Sequence, residues 1–326
     1  MLPLSMHRSL GSPLRELGTL IRLVLLYKQI KPDLVHHISL KPVILGSLAA
    51  WITGIPRIVN SYTGLGYLFI SDTVLARLFL SLIVPVMSLI MKNKRYYSIV
   101  QNSDDVKALL NLGMINIEQY SLIRGSGVDT TIFGYSPVPI ADYQLVLFAS
   151  RLLKDKGVIE FIEAVKILII DGIPARFIIV GDTDPGNPTS INPDELDTWI
   201  KQGIIEWWGY REDMSQVFKK VHIVCLPSYR EGLPKVLLEA ASCGRPIVTT
   251  DVPGCRDVVQ DGINGFLVPA YDSTGLAQAI SRLLTSAELL NQMGIAGRKR
   301  VIDNFGIEMI NSATIDVYNK LLLSSQ

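Results

Sequence analysis

The chain alternates short apolar runs with longer amphipathic stretches, and it does so in two series. In the first, residues 33–37, 57–61, 97–100 and 120–123 read as strands, while 14–29, 43–53, 73–91 and 104–112 carry helical period. In the second, strands are expected at 145–149, 176–180, 204–207, 223–226 and 246–249. Helices are expected at 157–170, 193–202, 214–219 and 234–242, and again at 274–284, 287–304 and 308–322. Such alternation builds a parallel sheet with helices on both faces, an α/β fold. Residues 133–142 carry Pro137 and Pro139 and no period, which reads as a linker. A length of 326 residues suits two doubly wound domains with a cleft between them. In such sheets ligands sit outside the carboxyl ends of the strands. No repeat of 20–50 residues is visible, which argues against a solenoid.

Composition narrows the function. Lys+Arg is 31 and Asp+Glu is 30, so a general nucleic-acid binder is not expected. The balance is uneven, at +6 over residues 1–140 and −5 over the rest. A basic first half suggests an anionic partner. Cys225, Cys243 and Cys255 form no CxxC pair, which fits a reducing cytoplasm. His7, His36, His37 and His222 make no ligand cluster, so neither a metal nor a cofactor is expected. Residues 78–91 run uncharged, interrupted by Pro85, and are too short to span a bilayer. Lys92, Lys94 and Arg95 follow at once. Two readings fit this segment: a buried helix with a basic end, or an interfacial segment on an anionic leaflet.

Two stretches carry candidate chemistry. In PSYREGLPKVLLEAASCG (227–244) a turn follows an apolar strand, and Pro234 is expected at the first position of the next helix. Turn amides and a helix N-terminus attract an anion, while Glu231 and Glu239 suit hydroxyls. A nucleotide sugar offers both groups. The plainer alternative pairs Glu239 with Lys235 and leaves Glu231 an ordinary turn residue. After the strand QLVLFAS come Arg151 and Lys156-Gly157, a fork and a point charge for phosphate oxygens. Here the alternative is a solvated run, RLLKDKG, with Asp155 as internal partner.

Together, Arg151-x4-Lys156 and Glu231-x7-Glu239 resemble the family 4 glycosyltransferases, which have two Rossmann-like domains in the GT-B fold. Gly125-Ser-Gly-Val-Asp129, Gly209 and Asn264-Gly265 add to the likeness, which covers nearly the whole chain. The stretches TGLGYLF and CLPSYREGLPKVLLEAASCGRPIVTTDVPGCRDVV are similar to bacterial members that build lipid-linked polysaccharide and O-antigen repeat units. The resemblance implies three segments: an acceptor-side domain over 1–135, a nucleotide-sugar domain over 136–305, and a last helix, 306–326, crossing back. It implies that Arg151 and Lys156 hold the donor diphosphate and that Glu231 contacts the hexose, aided by amides at Gly232 and Leu233. Glu239 would take the ribose, Tyr210 and Arg211 would border the base, and Gly127 would line the donor site. Gly64, Gly66 and Tyr67 would face the acceptor.

The implied activity is retaining transfer of a hexose or N-acetylhexosamine, from a nucleotide sugar that is expected to be UDP-linked. The implied acceptor is a polyprenyl-diphosphate-linked saccharide, at an anionic membrane surface on the cytoplasmic side. Many members have His where Ser61-Tyr62-Thr63 stands, while the lipid-linked group reads like TGLG there, so no catalytic histidine is assigned; at least one of His36 and His37 is expected in the sheet packing. By comparison with the family, the first domain is expected to lack an opening β-α-β unit and to hold about four strands. An inactive nucleotide-sugar-binding homologue, or an epimerase of the same fold, are the alternatives.

Overall fold

A computed structural model describes residues 13–65 and 74–323. Two compact units are formed, Met1–Ile123 with Ala313–Gln326, and Arg124–Ser312.

The first unit runs α1 (Pro13–Ile30), β1 (Val35–Ile38), α2 (Leu40–Thr53), β2 (Ile58–Tyr62), α3 (Val74–Met91), β3 (Tyr96–Val100), α4 (Ser103–Asn111) and β4 (Tyr120–Leu122). Its four described strands lie in the order β1-β2-β3-β4, all parallel. The strands are wound in one direction, and by the right-handed rule for parallel crossovers this puts α2, α3 and α4 on one face. β2 and β3 are buried along their whole lengths, as strands covered on both sides must be. α3 continues through Pro85.

The adjacent histidines point to opposite faces, as the period of two requires. His37 is buried against α2, where Gly46 leaves room for the ring: a Cβ there would lie 2.4 Å from the imidazole. Its Nδ1 donates to Asn60 Oδ1 (2.8 Å), so its Nε2 accepts from the Tyr27 hydroxyl (2.8 Å). His36 meets Tyr318 Oη through Nδ1 and Ser61 Oγ through Nε2, both at 2.6 Å.

The second unit runs β5 (Gln144–Ala149), a 3-10 turn (Lys154–Lys156), α5 (Val158–Ile170), β6 (Ala175–Val180), α6 (Pro193–Lys201), β7 (Glu206–Trp207), α7 (Met214–Lys220) and β8 (Ile223–Leu226). It continues with α8 (Lys235–Ser242), β9 (Ile247–Thr250), α9 (Cys255–Val258), β10 (Gly265–Val268), α10 (Ser273–Leu284) and α11 (Ala287–Asn304). The last helix, α12 (Ile307–Leu323), begins in this unit and ends in the first. The sheet order is β10-β9-β8-β5-β6-β7, all parallel. The winding direction reverses between β5 and β8, which makes their carboxyl ends the switch point where ligands bind in such sheets.

Four features differ from the sequence expectations, one being the single-turn helix α9, too short to show a period. β10 was not expected as a strand, because its GFLV run is short and sits inside a turn-rich motif. Pro234 is the N-cap of α8 and not its first helical residue, since its ψ of 109° is extended. The unit boundary falls at 123/124, ahead of the expected 135, because Arg298 and main-chain bonds of Val128 to Phe305 and Ile307 hold the intervening segment to the second unit. Buried Arg245 donates to the carbonyls of Val221, Cys243, Ser136 and Pro137. Arg298 donates to Thr130, Phe133 and Ser242.

Burial lowers the His37 pKa from 6.5 to about 4, so the folded chain excludes a proton that the unfolded chain accepts. His37 therefore supports the fold fully above pH 6.5 and loses that support as pH falls toward 4. Between pH 7 and 5 the first unit is expected to lose up to about 2 kcal/mol by this route. Denaturant titrations at the two pH values check it; His37→Gln should flatten the difference.

Candidate active site

The carboxyl end of β5 leads into a loop tied down by main-chain bonds. Leu152 N donates to Asp182 O, Ile191 N to Leu152 O, and Lys154 N to Thr189 O. These fix the turn that ends at Lys156. Gly157 follows with φ +76°, and a Cβ there would stand 2.0 Å from Pro227 O. Only glycine allows this approach. The loop after β5 is thereby pressed onto the loop after β8.

That contact brings two expected site residues together. Lys156 Nζ donates to Glu231 Oε1 at 2.6 Å, and both side chains are mostly buried. Ser228 Oγ donates to the same oxygen at 2.7 Å. Glu231 is therefore no ordinary turn residue. The turn that carries it is braced from several sides. Tyr229 N donates to Asp155 O and the Tyr229 hydroxyl to Glu160 Oε1. Burial, with that carboxylate beside it, pushes the Tyr229 phenol up. Thr249 Oγ1 donates to Leu226 O and Thr250 Oγ1 to Ser228 O. Gly254, at φ +79°, lets a second turn pack against Gly232 O, 2.5 Å from where its Cβ would be. Leu233 lies over Gly125. Beneath the site Cys255 is fully buried, and burial pushes its thiol to about 12, so it is an inert packing residue.

The other expected residues have partners of their own. Arg151, half exposed, donates to Asp184 Oδ2 at 2.8 Å. Asp155 is not the internal partner of its charge run; its carboxylate accepts from Thr189 Oγ1. Glu239 faces Lys235 at 3.6 Å, the pairing that the plainer reading expects. Burial raises the Glu239 carboxyl above its ordinary value, and Lys235 only partly offsets this. A half-desolvated carboxylate of this kind gains from hydroxyl donors. Arg211 forks onto Asp213, with bonds of 2.7 and 2.6 Å, beside an exposed Tyr210. A cavity of about 290 Å³ adjoins it, lined by Trp208, Arg211, Val217 and Lys220. Gly127, at φ +71°, is accounted for by packing: its Cβ would lie 2.8 Å from Ile307 Cα.

In the first unit Gly64 has φ +109°, while Gly66 and Tyr67 lie outside the described residues. His36 has a hydroxyl on each ring nitrogen, and burial lowers its pKa. Sequence reasoning missed Ser228, Tyr229, Glu160 and Asp184. Ser228 and Tyr229 lie inside the singled-out stretch. Asp184 had no signal beyond a Pro/Gly-rich loop.

Gly157→Ala is expected to destabilise the second unit by on the order of 3 kcal/mol, because both a left-handed backbone and a carbonyl contact are violated. Urea unfolding measures this. The matched control Gly203→Ala, at a positive φ but with nothing within 4 Å of its Cβ position, should cost less.

Residues 143–286 match the family described as glycosyl transferases group 1, and residues 2–88 match the glycosyl transferase 4-like family. The capsular polysaccharide biosynthesis glycosyltransferase CapM of Staphylococcus aureus is 24% identical over 322 residues, covering 95% of this chain and 83% of that one. The UDP-Gal:alpha-D-GlcNAc-diphosphoundecaprenol alpha-1,3-galactosyltransferase of Escherichia coli is 26% identical over 326 residues, covering 96% and 82%. Anabaena HepE, solved with UDP and glucose, superposes with a TM-score of 0.76 at 21% identity, over 95% of this chain and 83% of that one. The chain is a glycosyltransferase with the GT-B fold, matching the group 1 model over residues 143–286 and the 4-like model over residues 2–88.

Proposed function

We propose that the enzyme transfers a hexose or N-acetylhexosamine from a UDP-sugar, with retention, to a polyprenyl-diphosphate-linked saccharide in cell-surface polysaccharide synthesis. The observation that carries this reading is the Lys156–Glu231 pair at the switch point of the second sheet. A cation and a carboxylate fixed side by side match a donor whose diphosphate adjoins a ring of hydroxyls. The E. coli relative is named for a UDP-galactose donor and a diphosphoundecaprenol acceptor, which supports the substrate classes. HepE was solved with UDP and glucose, which supports the donor class.

In the reaction the bond between the anomeric carbon and the β-phosphate oxygen breaks, and UDP leaves with the electron pair. The acceptor hydroxyl forms the new bond and would pass its proton to the departing β-phosphate oxygen. Lys156, with Arg151 swung from Asp184, would balance the charge that grows on the departing diphosphate. Glu231 would accept bonds from sugar hydroxyls, aided by the amides of Gly232 and Leu233. Glu239 would accept from the ribose, and Tyr210 and Arg211 would border the base. Gly64 would stand on the acceptor side. Among the described residues no helix is long and apolar enough to cross a membrane. With an acceptor carried on lipid, the enzyme would work on the cytoplasmic face of the cell membrane.

Incubating UDP-sugars with a polyprenyl-diphosphate disaccharide, and reading the product's anomeric configuration by NMR, tests the proposal. An α-linked product is expected. Free epimerised UDP-sugar, an inverted linkage, or no transfer with any donor would count against it. Lys156→Ala should lower kcat about 10²–10³-fold, equivalent to removing one donor of an oxyanion site. Glu239→Gln should act mainly on the donor KM.

A further inference from the structure

We propose that Tyr271 is a positioning residue: its ring clamps Tyr229 and so fixes the turn that carries Glu231, a role that rests on the donor reading given above. Tyr271 stands between β10 and α10 with φ +67°, a left-handed backbone that strains a residue with a Cβ. Among the described residues of the second unit, it alone of the non-glycine residues takes a positive φ. Elsewhere in the unit such angles fall to glycine, as at Gly244, Gly254 and Gly262.

Neither the core nor the next helix accounts for a tyrosine at this place. The residue is 66% exposed. The N-cap of α10 is Asp272, whose side chain accepts from Gly275 N at 2.8 Å. What the ring gains is Tyr229: the two centroids lie 4.0 Å apart, with the planes tilted by 40°. An exposed aromatic ring kept on a strained backbone against a second ring marks a position where geometry is being held.

Tyr229 in turn has three anchors. Tyr271, after β10, packs on its ring. Glu160 of α5 accepts from its hydroxyl at 2.7 Å, and Asp155 O, before α5, accepts from its amide at 3.0 Å. Lys156 is the residue after Asp155, and Glu231 stands two residues after Tyr229, so the clamp borders both members of the ion pair. Thr250 Oγ1 donates to Ser228 O, and Gly254 packs against Gly232 O. Those contacts fix the main chain before and after residues 229–231, and the clamp fixes the stretch between them. With Tyr229 loose, Glu231 would keep its cation but lose its set place relative to a donor. A misplacement of about 1 Å is enough to slow a transfer.

Tyr271→Gly removes the ring and relieves the backbone at once, so it separates positioning from support. Its thermal midpoint is expected to hold or rise. Hydrogen exchange read by mass spectrometry should show the amides of residues 228–233 exchanging about tenfold faster, with those of β8 unchanged. Tyr271→Phe should restore the slow exchange. In transfer from UDP-glucose, UDP-galactose and their N-acetylated forms to the polyprenyl-diphosphate disaccharide, Tyr271→Gly should lower kcat about tenfold and leave UDP affinity unchanged. Unchanged exchange in Tyr271→Gly would overturn the proposal, since the positive φ would then serve only the entry to α10. A midpoint that falls in step with kcat would also overturn it, making the ring a plain brace. So would a loss of kcat in Tyr271→Phe equal to that in Tyr271→Gly, which would put the hydroxyl on the substrate. Lys156→Ala in the same assays keeps the two readings apart. If it leaves UDP binding and transfer intact while Tyr271→Gly loosens the turn, the donor reading fails and the clamp stands. If it impairs transfer while Tyr271→Gly loosens the turn without touching kcat, the donor reading stands and the positioning role is overturned.

Discussion

A carbonyl oxygen, that of Pro227, occupies the space that any side chain at position 157 would need. The site depends on this contact. It joins the loop after the first strand of the second sheet to the loop after the fourth, two segments about seventy residues apart in the chain. Lys156 and Glu231 meet because their main chains have already been brought together. The 2.6 Å ion pair is a consequence of the fold and not what holds it. For a mostly buried pair the cost of desolvating both charges offsets much of their attraction. The close main-chain approach is what makes the pairing geometry reproducible.

Around that contact the polar groups are matched locally. Lys156 meets Glu231, Arg151 meets Asp184, and Arg211 meets Asp213. A nucleoside diphosphate entering such a site exchanges partners instead of meeting bare charge. Arg151, far more exposed than Lys156, is the freer of the two to move between Asp184 and a phosphate oxygen. Glu239 differs from the other carboxylates because burial, and not a close cation, dominates its surroundings.

Much of the architecture was legible in the sequence, since buried parallel strands must be apolar runs and their covering helices must be amphipathic. The alternation alone indicated both sheets. The strand order was not legible, because nothing in a strand's own residues says whether its neighbour is next in the chain. The adjacency of β5 and β8 carries the site, so the meeting of Lys156 with Glu231 could be reached only through family likeness. β10 escaped because four residues inside a turn-rich stretch show no period. The place of residues 124–142 escaped for another reason. Arg245 and Arg298 hold that segment through carbonyl oxygens, which every residue has and no sequence pattern marks.

The glycines that frame the site have a bearing on how its specificity can change. Gly157 and Gly254 set the positions of two turns chiefly through the carbonyls of Pro227, Glu231 and Gly232. The side chains standing on those turns, from Tyr229 to Leu233, take no part in these two contacts. If those turns hold the donor as proposed, side chains that brace nothing there could be exchanged while the backbone contacts keep the turns in place. On the proposed reading, the choice of sugar could then drift while the Lys156–Glu231 pair stays in place.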